Sequence, residues 1–138
     1  MRKITAGVCL LFIFLNLSFA AEKDSINVEV LAETNKSWNN QQLPYYPSGR
    51  AQVTILRITI PAGMELPMHK HPVINAGIML RGELTVVTED SDTLHLKEGD
   101  AIVEVVNKWH YGINEGKEPA EIVVFYAGEE DSPITINY

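Results

Sequence analysis

Two histidines stand two residues apart in the run Met68-His69-Lys70-His71. On a strand that spacing puts both imidazoles on one face, about 6–7 Å apart along the chain, with Lys70 on the other. Two imidazoles so placed converge on one metal ion, and a third ligand from another strand completes a facial set with open positions. His110 is the candidate third ligand, because it follows a strand-and-turn pattern and is flanked by Trp109 and Tyr111. The competing reading is of ordinary surface or core histidines. His95 alternates with Leu94 and Leu96 and shares its face with Thr93 and Lys97. It is assigned to a solvated strand face, outside the site. Glu65, Glu83 and Glu104 are the carboxylates near these histidines. In Val103-Glu104-Val105 the glutamate reads as an outward-facing charge on an edge or dimer surface. No Ser-His-Asp order, phosphate-binding glycine loop or zinc-protease motif is present.

The elements that must position these residues are short and extended. After residue 22 helical periodicity is nearly absent, whereas strand-like runs recur between turn signals. Strands are expected over 26–31, 53–60, 74–80, 84–87, 93–97, 101–106, 109–113 and 120–126. Turns fall at Pro61-Ala62-Gly63, Arg81-Gly82-Glu83, Glu98-Gly99-Asp100 and Asn114-Glu115-Gly116. Such spacing predicts an all-β antiparallel sandwich or barrel in one domain. Residues 35–50 read as a polar loop stiffened by prolines, with Trp38, Tyr45 and Tyr46 either covering the barrel mouth or packing elsewhere. If His69 and His71 point inward, parity carries Val73, Asn75, Gly77 and Met79 with them, and Gly77 leaves room beside the metal. The same rule puts His110, Gly112 and Asn114 on one side.

The chain has 138 residues, enough for a single domain, and a formal net charge of −7. Without a basic cluster it lacks the phosphate-neutralising surface that nucleic-acid binding requires. Arg2 and Lys3 precede a dense apolar run, which ends in Ser18-Phe19-Ala20 and gives way to Ala21-Glu22-Lys23-Asp24. This reads as a secretory signal over 1–20, cleaved after Ala20, the alternative being an uncleaved anchor. The only cysteine, Cys9, lies in that segment. The mature domain is therefore expected to be acidic, disulfide-free, periplasmic or secreted, and free of the membrane.

The spacing resembles that of the cupin superfamily, whose small single-domain members form a double-stranded β-helix, or jelly-roll, antiparallel barrel. Its first motif runs Gly, five residues, His-x-His, three or four residues, Glu, six residues, Gly. Here Gly63, His69, His71 and Gly82 fall in register, and Asn75 stands where the family has glutamate. The second motif runs Gly, five residues, Pro-x-Gly, two residues, His, three residues, Asn. Gly99, His110 and Asn114 match it, while Val105 and Asn107 replace its proline and glycine. With the signal segment at 1–20 and an N-terminal strand and loop region at 21–50, the resemblance implies a cupin β-barrel over 51–138.

By that resemblance His69, His71 and His110 correspond to ligands of a divalent metal ion: iron, manganese, nickel or zinc. Asn75 corresponds to a fourth ligand or to a group that orients ligands or substrate. Three neutral imidazoles leave the ion its whole charge, which favours an anionic or chelating oxygen donor and acidifies bound water. The set is closer to the three-histidine iron sites of some cupin dioxygenases than to the manganese oxalate-degrading members. Two functions follow: a metal-dependent enzyme, oxygenase- or isomerase-like, acting on a small molecule, or a non-catalytic module that binds a metal or small ligand. A fold-only interaction protein with a vestigial site is the third. A homodimer is also implied, with the strand at 26–31 joining a sheet edge.

Overall fold

The computed structural model describes residues 25–138. The signal segment and Cys9 lie outside the described residues. Nine strands are present among them: β1 (Ala51–Ile60), β2 (His69–Lys70), β3 (Ile74–Arg81), β4 (Glu83–Thr88), β5 (Thr93–Lys97), β6 (Ala101–Val103), β7 (His110–Ile113), β8 (Ala120–Glu129) and β9 (Ile136–Asn137). They form two antiparallel sheets in the orders β1-β8-β3-β6 and β5-β4-β7-β2-β9. The molecule is an all-β jelly roll, as the strand pattern predicted.

The two sheets close on a shared apolar core. Ile60, Met79, Ile102, Ile122 and Val124 line the inner face of the first sheet, and Leu84, Val86 and Leu96 that of the second. Alternation drives this: along β3, Asn75, Gly77 and Met79 are buried while Ile74, Ala76 and Ile78 are only half-buried. Parity thus holds from Val73 to Met79. Gly77, however, leaves room for β8 and not for a metal. A Cβ there would lie 2.9 Å from the Val123 carbonyl oxygen and 3.2 Å from the Ile122 and Val124 side chains. Gly82 turns β3 into β4 with φ +73°, and a Cβ would sit 2.8 Å from the Ala120 Cα. Only glycine meets both demands.

Three local expectations are corrected. Residues 26–31 form no strand, and Ile26, Val28, Val30 and Leu31 are exposed. Their alternation is a local pattern, whereas a strand exists only where a neighbouring edge pairs with it. The strand expected over 101–106 ends at Val103, and Glu104, Val105 and Val106 are buried in succession. Here the chain leaves the ladder to reach Asn107, whose φ of +56° occupies the left-handed region where the cupin motif has glycine. Last, β9 is an unforeseen strand that pairs with β2, His69 opposite Asn137.

The loop before β1 is anchored rather than free. Trp38 donates its backbone N–H to the Val103 carbonyl at 2.9 Å, and its ring packs against the core. Tyr45 and Tyr46 are exposed and make no lid over the barrel.

Candidate metal centre

His69 and His110 face each other across the β2–β7 pairing. His71 follows two residues after His69, so its ring comes to the same side. Ring centroids are 5.0 Å apart for His69 and His71, 4.5 Å for His69 and His110, and 5.1 Å for His71 and His110. One nitrogen from each ring lies within 4.8 Å of the others. The three histidines read from the sequence are therefore brought together, while His95 stays exposed on β5 beside Thr85.

Hydrogen bonds decide which nitrogens face the centre. His69 Nδ1 lies 2.7 Å from the Pro67 carbonyl, His71 Nδ1 2.8 Å from that of Ile134, and His110 Nδ1 2.9 Å from that of Lys108. A carbonyl oxygen only accepts, so each Nδ1 carries the proton and donates it. In the neutral ring this leaves Nε2 with a lone pair, the state in which imidazole binds a metal. Burial is the leading cause that lowers the His69 pKa, against the pull of the Pro67 carbonyl. Burial likewise takes His71 down to about 4, with His110 and His69 adding to the fall and Ile134 opposing it. Both rings are thus neutral at pH 7, and proton competition for the ion is weak.

Local chain geometry holds these rings in place. The Asn107 N–H donates to the His71 carbonyl at 2.8 Å, fastening the β6–β7 turn to the first histidine pair. Asn114 closes the other end of β7: its side-chain amide donates to the Ile60 and Glu118 carbonyls and accepts from the Gly116 N–H, all at 2.9 Å. Fully buried, it is a structural clamp and not a group facing the site. Lys70 points away from the histidines, over the Trp109 ring at 4.6 Å.

The triad opens into a cavity of about 280 Å³ walled by Leu56, Ile58, Leu66, Val86, Ile122 and Val124. Asn75 and Tyr126, paired across β3 and β8, are polar members of that wall. Tyr126 stacks edge-on against His71 at 5.3 Å, and burial, with the charge of Glu104 second, pushes its hydroxyl up to about 12. It remains a hydrogen-bond donor at neutral pH.

Glu104 corrects the sequence reading. It is not an outward charge: it is 8% exposed and lines the cavity, with Oε2 4.0 Å from His110 Nε2. Trp38 Nε1 donates to its Oε1 at 2.9 Å. The default of an outward-facing charge failed here: the β3–β6 register turns Ile102 inward opposite Gly77, so Glu104 two residues on comes to the same face, and its indole partner comes from a loop 66 residues distant. The one signal that pointed inward was the apolar company of Val103, Val105 and Val106.

Comparison with known proteins agrees with this architecture. The sequence pattern of the cupin domain matches residues 56–126, half of the chain, and the chain belongs to the cupin family. No curated protein sequence matches it. Among solved structures it is similar to the DMSP lyase DddQ from Ruegeria pomeroyi, with a TM-score of 0.54 at 21% identity over 62% of this chain and 42% of that one. It is similar to a protein with a double-stranded β-helix domain from Klebsiella pneumoniae, with a TM-score of 0.54 at 19% identity over 67% of this chain and 88% of that one. It is also similar to an oxalate oxidase crystallised with the substrate analogue glycolate, with a TM-score of 0.53 at 24% identity over 62% of this chain and 45% of that one. The chain spans less than half the length of the lyase and the oxidase; these likenesses establish the shared fold.

The donor set itself fits a divalent transition metal. Three neutral imidazoles with converging lone pairs suit zinc, iron, nickel or manganese better than calcium or magnesium, which take oxygen ligands.

Proposed function

We propose that this protein is a mononuclear metal-dependent cupin enzyme acting on a small molecule with an oxygen-donor head and an apolar body. The observation that carries this reading is the convergence of three histidine rings, one nitrogen of each within 4.8 Å of the others, at the end of an apolar cavity. His69, His71 and His110 would hold the ion, which supplies a Lewis-acidic centre with positions open to substrate oxygen. The aliphatic walls take up the substrate's body and exclude water. The Tyr126 hydroxyl, protonated at neutral pH, donates a hydrogen bond to a polar group bound beside His71. An anionic head is preferred, because the centre keeps a net positive charge.

A non-catalytic binding module is the second reading, favoured by the scarcity of acid–base groups: Glu104 is the only carboxylate among the described residues lining the cavity. The chain is further proposed to be exported, with its signal removed after Ala20, and to act in the periplasm or outside the cell. The support is the basic start, apolar run and small-residue end of residues 1–20. A homodimer is proposed as well, formed through β1, an edge strand that exposes Val53 and Ile55.

Elemental analysis of untagged protein, beside His69→Ala and His110→Ala variants, tests the centre. One equivalent of a transition metal in the parent, lost in both variants, is the expected result; a metal-free parent that takes up none refutes it. Turnover of candidate oxygen-donor acids separates the enzyme from the binding module, in which ligands raise the melting temperature without reaction. Intact mass of exported protein and light scattering test the cleavage site and the dimer.

A further inference from the structure

The inner face of the first sheet carries a polar row that crosses three strands. Tyr126 of β8 lies opposite Asn75 of β3. On the other side, the β3–β6 register pairs Ala76 with Val103 and Gly77 with Ile102. One step beyond, the Glu104 N–H donates to the Asn75 carbonyl at 3.0 Å, so Glu104 is the cross-strand neighbour of Asn75. Directly opposed residues share a face of the sheet. A neutral amide and a carboxylate thus stand side by side, both lining the cavity of the histidines.

The carboxylate is held in a particular way. Both hydrogen bonds it accepts fall on Oε1, from Trp38 Nε1 at 2.9 Å and from the Val105 N–H at 3.0 Å. Oε2 is turned instead to His110 Nε2, 4.0 Å away. With Nδ1 donating to Lys108, that nitrogen is the one the neutral ring would offer to a metal. A carboxylate oxygen and an imidazole nitrogen therefore face each other in a buried site, an arrangement that calls for a proton or a metal cation between them. Bonds of about 2.1 Å to each donor reach across donors up to about 4.2 Å apart, so the two lie within reach of one cation.

We propose that Glu104 is the fourth protein ligand of the metal, bound through Oε2, with Trp38 as the positioning residue that fixes Oε1. The proposal rests on the reading that the triad holds a divalent ion. It places the site's carboxylate on the residue opposite Asn75 and lowers the net charge of the centre from +2 to +1. It also couples the loop ahead of β1 to the metal, because the clamp on Glu104 comes from that loop. Asn75 is then a wall residue that does not ligate.

The test is titration of metal-free full-length protein with Co²⁺, read by calorimetry and by the visible ligand-field spectrum. Glu104→Gln keeps an oxygen for Trp38 and Val105 but removes the anionic donor. Its affinity is expected to fall by about 10- to 100-fold, with a changed spectrum. Trp38→Phe should lose less affinity and keep the wild-type spectrum, and Asn75→Ala should match wild type in both. Wild-type affinity and spectrum in Glu104→Gln would overturn the proposal and leave the triad standing. A wild-type protein that binds no Co²⁺ would overturn both readings. Should Glu104→Gln fail to fold, the infrared difference spectrum of wild type on adding Co²⁺ decides: a shifted carboxylate band supports ligation, and an unchanged one refutes it.

Discussion

His71 makes the metal-free protein sensitive to mild acid, by an amount that follows from its burial. Its pKa is about 4 in the folded chain, against 6.5 for a free imidazole. A group with a lowered folded pKa stabilises the fold when neutral, so its contribution is complete above pH 6.5 and is lost as pH falls toward 4. Between pH 7.5 and pH 5 that loss is about 2 kcal/mol, at about 1.4 kcal/mol for each unit below 6.5. For a domain of this size the melting temperature should drop by about 8 °C from this group alone. His69 acts in the same direction, since burial lowers its pKa as well. The assay is urea unfolding in a chelator at both pH values, comparing wild type with His71→Gln, which does not titrate. The variant should lose about 2 kcal/mol less than wild type over the interval, whatever its absolute stability. Equal losses in the two proteins would refute the burial argument, because carboxylates elsewhere contribute identically to both.

Two further perturbations probe the scaffold. Asn114→Ala should destabilise the protein by about 3 kcal/mol in chemical denaturation, because it leaves the Ile60 and Glu118 carbonyls and the Gly116 N–H without their partner. Gly77→Ala should cost about 1–3 kcal/mol, since the new Cβ meets β8 backbone that cannot move aside. Neither variant removes a triad imidazole, so metal uptake by the folded fraction should stay at the wild-type stoichiometry in elemental analysis.

Much of the site was legible in the primary structure because a strand repeats every two residues. That period alone set His69 and His71 on one face and carried Asn75, Gly77 and Met79 to the same interior. Gly63, Gly82 and Gly99, all with positive φ, marked turns that sequence patterns identify well. His110 could be named as a third ligand from its motif, but its place opposite His69 is a matter of sheet pairing. Pairing is a long-range property, and local patterns do not encode it. For the same reason residues 26–31 alternate like a strand without being one, and β9 went unseen although its approach supplies the Ile134 carbonyl that orients His71. Glu104 is the sharpest case. Its direction depends on the β3–β6 register, which turns Ile102 and not Val103 inward, and on an indole donated from Trp38. The order of residues determined which side chains were available to bind a metal. Only the closed barrel decided which lone pairs meet, because that outcome depends on hydrogen bonds between segments far apart in the chain.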